Sequence, residues 1–104
     1  MRERWFGATG LRVPEIAIEG EDLELPDERH ARVGDQVFDV LVADLAEKGE
    51  ALTRAHAEGV PVVMRGQTPQ QVKAALARPE VACVLIPSSA RHLRDLDLTE
   101  LTYG

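Results

Sequence analysis

The feature that most constrains this chain is VACVLI at residues 81–86, six apolar side chains in succession between Pro79 and Pro87. A strand with one wet face alternates apolar and polar residues. A short unbroken run suits a strand covered on both faces, as in a parallel sheet. The preceding residues supply the crossover that such a sheet requires. Residues 60–64 form a second apolar run behind Gly59. Thr68 then offers a side-chain N-cap, and Gln71 completes a capping box. Pro69 stands at the first helical position, where a missing N–H costs nothing. Val72, Ala75 and Leu76 share one helical face, and Pro79 stops the helix. Residues 59–89 therefore read as one β-α-β unit with a right-handed crossover.

Residues 37–43 (VFDVLVA) add a third strand candidate rich in β-branched side chains. Asp44 caps a helix running to about Glu58, with Glu47 as its capping-box partner and Leu45, Leu52 and Ala55 on one face. Gly49 inside that helix costs about 1 kcal/mol against alanine. Glu50 and Arg54 form an i,i+4 pair, and Gly59 stands where a left-handed residue closes the helix. Ser88 and Ser89 cap a last helix over residues 90–96, with Leu93 and Leu96 inward. Residues 37–104 thus form a βαβαβα body. Residues 1–20 read as a hairpin, with extended pieces at 4–7 and 11–19 around a turn at Thr9-Gly10 and with Pro14 at an edge. Residues 21–36 read as an acidic loop in which Leu23 and Leu25 supply at most one short strand. The expected fold is a single small α/β domain, an N-terminal hairpin followed by three parallel strands alternating with helices. Such an open sheet has two exposed edges, which invite pairing with a second copy, so a homo-oligomer is expected.

At 104 residues the chain holds one domain at most. Its net charge of −6 disfavours nucleic acid and anionic membranes as partners. No apolar stretch approaches the ~20 residues of a membrane span, and the N-terminus has no signal-peptide core, so the cytoplasm is the expected compartment. Cys83, the single cysteine, lies inside the strand run and reads as a small buried hydrophobe. His30, His56 and His92 are scattered without metal-ligand spacing. Asp44 after a strand has the look of a receiver-domain phosphorylation site. The acidic pair after a first strand and the lysine of a last strand have no counterpart, so capping is the better reading.

Two stretches carry a family resemblance. Residues 4–20, RWFGATGLRVPEIAIEG, keep Gly7, Thr9, Gly10, Leu11, Val13, Glu15 and Ile16 in register with "R-x-L-G-x-T-G-L-x-V-S-E-I-x-L-G". Residues 51–96 follow "A-x-x-x-G-V-x-V" and then "A-L-x-x-P-x-V-x-x-V-I-P-G". Both patterns resemble aldo-keto reductases, the first their opening hairpin and the second the last part of their TIM barrel. The resemblance implies that fold segment and an NADP-contacting rim after the last two strands. Arg65, between Met64 and Gly66, matches the first loop. Ser88 and Ser89 match the second, and Arg91 and Arg94 lie near positions where a basic residue meets the adenosine phosphate. The longer Gly-rich insert is missing, and Leu96 stands where the family has an Asn.

The resemblance also implies an absence. A complete barrel takes ~250 residues, and the family's Asp, Tyr, Lys and His blocks belong to the part that is missing here. Tyr103, Lys48 and Lys73 match none of them. Carbonyl reduction needs a proton donor tuned by a neighbouring cation, so no catalytic residue is expected. The expected function is an aldo-keto-reductase-like protein that lacks catalysis and keeps weak NADP(H) binding. The alternatives are a non-catalytic self-associating or protein-binding module and a receiver-like signalling domain.

Overall fold

The computed structural model describes residues 3–43 and 49–95. Its centre is a four-stranded parallel sheet built from β3 (Ile16–Ile18), β6 (Leu41–Ala43), β7 (Val62–Arg65) and β8 (Val81–Ile86), in the order β3-β8-β7-β6. The unbroken apolar run is the buried centre of this sheet, as its composition requires. All six residues of β8 are buried. Val81, Val84 and Ile86 join one apolar layer, and Ala82, Cys83 and Leu85 join the other. Two neighbours share a face because the register jumps there. Val62 pairs with Val81, but Val63 pairs with Cys83, leaving Ala82 as a bulge residue.

Helices cover the first layer: α1 (Gly49–Ala57), α2 (Pro69–Leu76) and a 3-10 segment (Ser88–Asp95). They bury Leu52, Ala55, Val72, Ala75, Leu76, Ala90 and Leu93. Two antiparallel hairpins cover the other face, β1 (Glu3–Trp5) with β2 (Arg12–Pro14), and β4 (His30–Val33) with β5 (Gln36–Asp39). Phe6 and Phe38, one from each hairpin region, meet edge to face at 5.8 Å and 74° over that face.

Local chemistry accounts for the helix ends. Thr68 Oγ1 accepts the Gln71 N–H at 3.2 Å, and Pro69 opens α2. The return arm of the box falls one residue early, with Gln71 Oε1 accepting the Gln67 N–H at 2.8 Å. At the other end of α2 the carbonyls turn to Arg4 of β1. Its guanidinium donates to Leu76 O (2.8 Å), Arg78 O (3.4 Å) and Val81 O (3.0 Å). Its Nε reaches the buried Glu15 at 2.9 Å. Gly59 adopts φ 77° as its position demands, and it stands back to back with Gly7 (φ 55°). A Cβ on Gly7 would fall 2.5 Å from Gly59 O.

The structure corrects the expected fold in four places. The parallel strands number four, because residues 16–18 leave the hairpin and pair with β8. Ile16, Ala17 and Ile18 are all buried, as in a strand covered on both sides, and Glu19 N donates to Ile86 O at 2.9 Å. The acidic loop at 21–36 contains β4 and the turn at Gly34 (φ 61°). The single strand expected over 37–43 is two. Gln36–Asp39 alternates towards solvent and pairs with β4. Val40 N then bonds Arg29 O and Leu41 N bonds Pro61 O, which transfers the chain between sheets. The last helix is 3-10 in two turns, kinked at Ala90 (φ −110°, ψ 23°). Asp44, Leu45, Glu47, Lys48, Leu96 and Tyr103 lie outside the described residues. Among the described strands β3 and β6 are the sheet edges. Among the described residues no helix is long and apolar enough to cross a membrane.

Candidate functional site

Parallel strands bring their carboxyl ends to one rim, and three arginines meet there. Arg65 closes β7. Arg91 and Arg94 stand on the 3-10 segment after β8, which opens with the exposed Ser88 and Ser89. All five residues expected to contact a cofactor are thus gathered at the carboxyl ends of β7 and β8. Gly66 lets this rim pack closely, since a Cβ there would lie 3.0 Å from Val84 Cγ1. A recess of about 530 Å³ is lined by Ile18, Arg91, Arg94 and Asp95.

Each arginine also meets a carboxylate of the chain itself. Arg65 donates to both Glu19 oxygens, at 2.7 and 3.3 Å. Arg91 donates to Glu21. Arg94 Nη1 lies 3.3 Å from Asp22 Oδ2, with both side chains largely covered, 21% and 23% exposed. These acids follow β3 in a built turn. Gly20 takes φ 89°, the N–H groups of Glu21 and Asp22 both donate to Ile18 O, and Leu23 is buried beneath. Asp22 also accepts the Ile18 N–H at 2.8 Å. Arg65, Arg91 and Arg94 therefore face Glu19, Glu21 and Asp22 at the same rim, and their charges cancel there. The half-exposed Arg65–Glu19 and Arg91–Glu21 pairs contribute only about 0–1 kcal/mol each. An anion of higher charge can compete for the arginines, at reduced affinity.

The acidic turn is the part of the site that sequence reasoning missed. Its signal was present, since Glu19, Glu21 and Asp22 directly follow Ile16–Ile18. Only with those residues read as a parallel strand beside β8 do the acids arrive at the arginines.

Other titratable groups have local roles. His30 bridges two carboxylates, with Nδ1 2.8 Å from Asp27 and Nε2 3.2 Å from Asp39. The Arg29 backbone N–H, and then His30, hold the Asp27 carboxyl below its ordinary range. Burial pushes the Cys83 thiol up to about 12. Among the described residues no group of His, Cys, Asp and Glu is arranged to hold a metal ion.

No protein-family model, no curated protein and no solved structure matches the chain. The functional reading therefore rests on the rim and on the sequence resemblance alone.

Proposed function

We propose that this chain is an internally abbreviated, aldo-keto-reductase-like α/β domain that binds NADP(H) weakly at its arginine rim and performs no hydride chemistry. The observation that carries the reading is the meeting of Arg65, Ser88, Ser89, Arg91 and Arg94 at the carboxyl ends of two adjacent parallel strands. Open α/β sheets bind ligands in that place. Guanidinium forks beside exposed hydroxyls suit a phosphate dianion. The pairing of β3 with β8 supports the family reading, because the two stretches that carry the resemblance then lie side by side. A receiver-like sheet has a different strand order, 2-1-3-4-5, and gains no support here. Non-catalysis follows from the sequence, which lacks the family's proton-donor set.

The test is a titration with NADPH at low ionic strength, read by cofactor fluorescence, alongside NADH and the variant Arg91→Ala. Saturable binding in the submillimolar to millimolar range is expected. It should favour NADPH, weaken several-fold in the variant and fade with salt. Absence of binding at millimolar NADPH, or equal binding by wild type and Arg91→Ala, would overturn the reading.

A further inference from the structure

At the opposite end of the sheet, where β7 and β8 begin, a groove of about 540 Å³ opens beside the first hairpin. That volume lies within the range of about 300–1,000 Å³ typical of small-ligand sites. The period of a strand turns Arg4 into the structure and leaves Glu3 and Trp5 on the outer face of β1. Trp5 is 63% exposed, the most exposed large apolar side chain among the described residues. Its cross-strand neighbour is Arg12, whose guanidinium carbon lies 5.4 Å from the indole centroid. Glu80, just before β8, belongs to the lining together with Glu3 and Trp5. Among the described residues the carboxylates of Glu3 and Glu80 have no hydrogen-bond or ion-pair partner.

The surroundings hold this groove in shape. Gly7 and Gly59 form a close backbone approach, tied by the Ala8 N–H donating to Gly59 O at 2.9 Å. Pro61 and Pro79 fix the lining loops, and the buried Val81 and Ala82 also line it. The backbone carbonyls of Leu76, Arg78 and Val81 are engaged by Arg4. Arg12 and His56 line it too, with Arg12 held over the indole. The unpaired acceptors left for a ligand are the two carboxylates, beside the exposed Trp5.

We propose that this groove binds an organic cation with a flat guanidinium head, stacked on Trp5 and paired with Glu3 and Glu80. An indole face attracts cations. The unpaired carboxylates of Glu3 and Glu80 reward a positive charge although Arg12 and His56 share the lining, and the net charge of −6 adds a field of the same sign. Arg12 shows in place that this indole accepts a guanidinium. A planar fork that both stacks and pairs suits the groove better than a compact ammonium. None of these residues belongs to the arginine rim, so the two sites stand or fall separately.

The single tryptophan is the probe. The full chain is titrated with agmatine, with a capped Gly-Arg-Gly tripeptide and with the same tripeptide carrying neutral citrulline, while Trp5 fluorescence is followed. The two guanidinium probes should give a saturable change, and the citrulline peptide should bind about tenfold or more weakly. A tripeptide that binds tighter than agmatine assigns the cation to a protein segment, and the reverse assigns it to a free amine. The double variant Glu3→Gln, Glu80→Gln should lose about tenfold in affinity with its melting curve unchanged. Amide shifts of Glu3, Trp5 and Glu80 in a ¹⁵N spectrum of the wild type give an independent reading. Equal binding of citrulline, an undiminished double variant, or no saturable change with either guanidinium probe would overturn the proposal.

Discussion

Cys83, the single cysteine, is wholly buried on the hairpin side of β8. Burial raises its ionisation to about 12, and the nearby Asp22 charge adds to the rise while Arg4 opposes it. The folded value lies above the ordinary value of 9.0. Its contribution is therefore fully present below pH 9 and is lost as pH climbs towards about 12, because only the unfolded chain gives up the proton in that window. The expected slope is about 1.4 kcal/mol of stability per pH unit. Urea denaturation of the wild type and Cys83→Ala between pH 8 and 11 checks this. The wild type should lose stability more steeply than the variant. Parallel pH profiles would show that the thiol ionises in the fold as freely as in the unfolded chain.

Among the elements, the most consequential link is the one from β1 to the end of α2. Arg4 satisfies three carbonyls there and neutralises Glu15, which is 1% exposed. Removing one partner of a buried pair costs about 3–5 kcal/mol. That is a large share of the roughly 5–15 kcal/mol that holds a small domain together. Arg4→Met should lower the urea midpoint accordingly. Arg4→Lys should not rescue it, because a point charge cannot serve four acceptors at once. Full rescue by lysine would mean that charge alone matters. The two ends of α2 differ in how legible they were. Thr68, Pro69 and Gln71 are local signals and they act locally. Arg4 lies 72 residues from Leu76, and no local pattern announces its role. β8 was legible because six apolar residues leave a strand no wet face. β3 was not, since IAI is only three residues long and continues a hairpin pattern. The break at Val40 was hidden for a similar reason, because VFDVLVA runs on in composition while its pairing changes sheets.

In the whole molecule, two hairpins occupy the sheet face opposite the helices, and the ends of the sheet differ in chemistry. The carboxyl end gathers Arg65, Arg91 and Arg94 against their own acids. The amino end leaves Glu3 and Glu80 open beside Trp5. The five rim residues were reached through the family resemblance, and they lie at one rim because short loops after parallel strands emerge together. Their neutralisation was not, because it required the position of β3. Central to this account is that the arginine rim is an anion site attenuated by the acidic turn. The most direct measurement compares NADPH affinity at low salt for the wild type and for the triple variant Glu19→Gln, Glu21→Gln, Asp22→Asn. Freed of two half-exposed pairs worth about 0.5 kcal/mol each and of the more covered Arg94–Asp22 pair, the variant should bind about tenfold tighter or more. Unchanged or weaker binding by a folded variant would contradict the account.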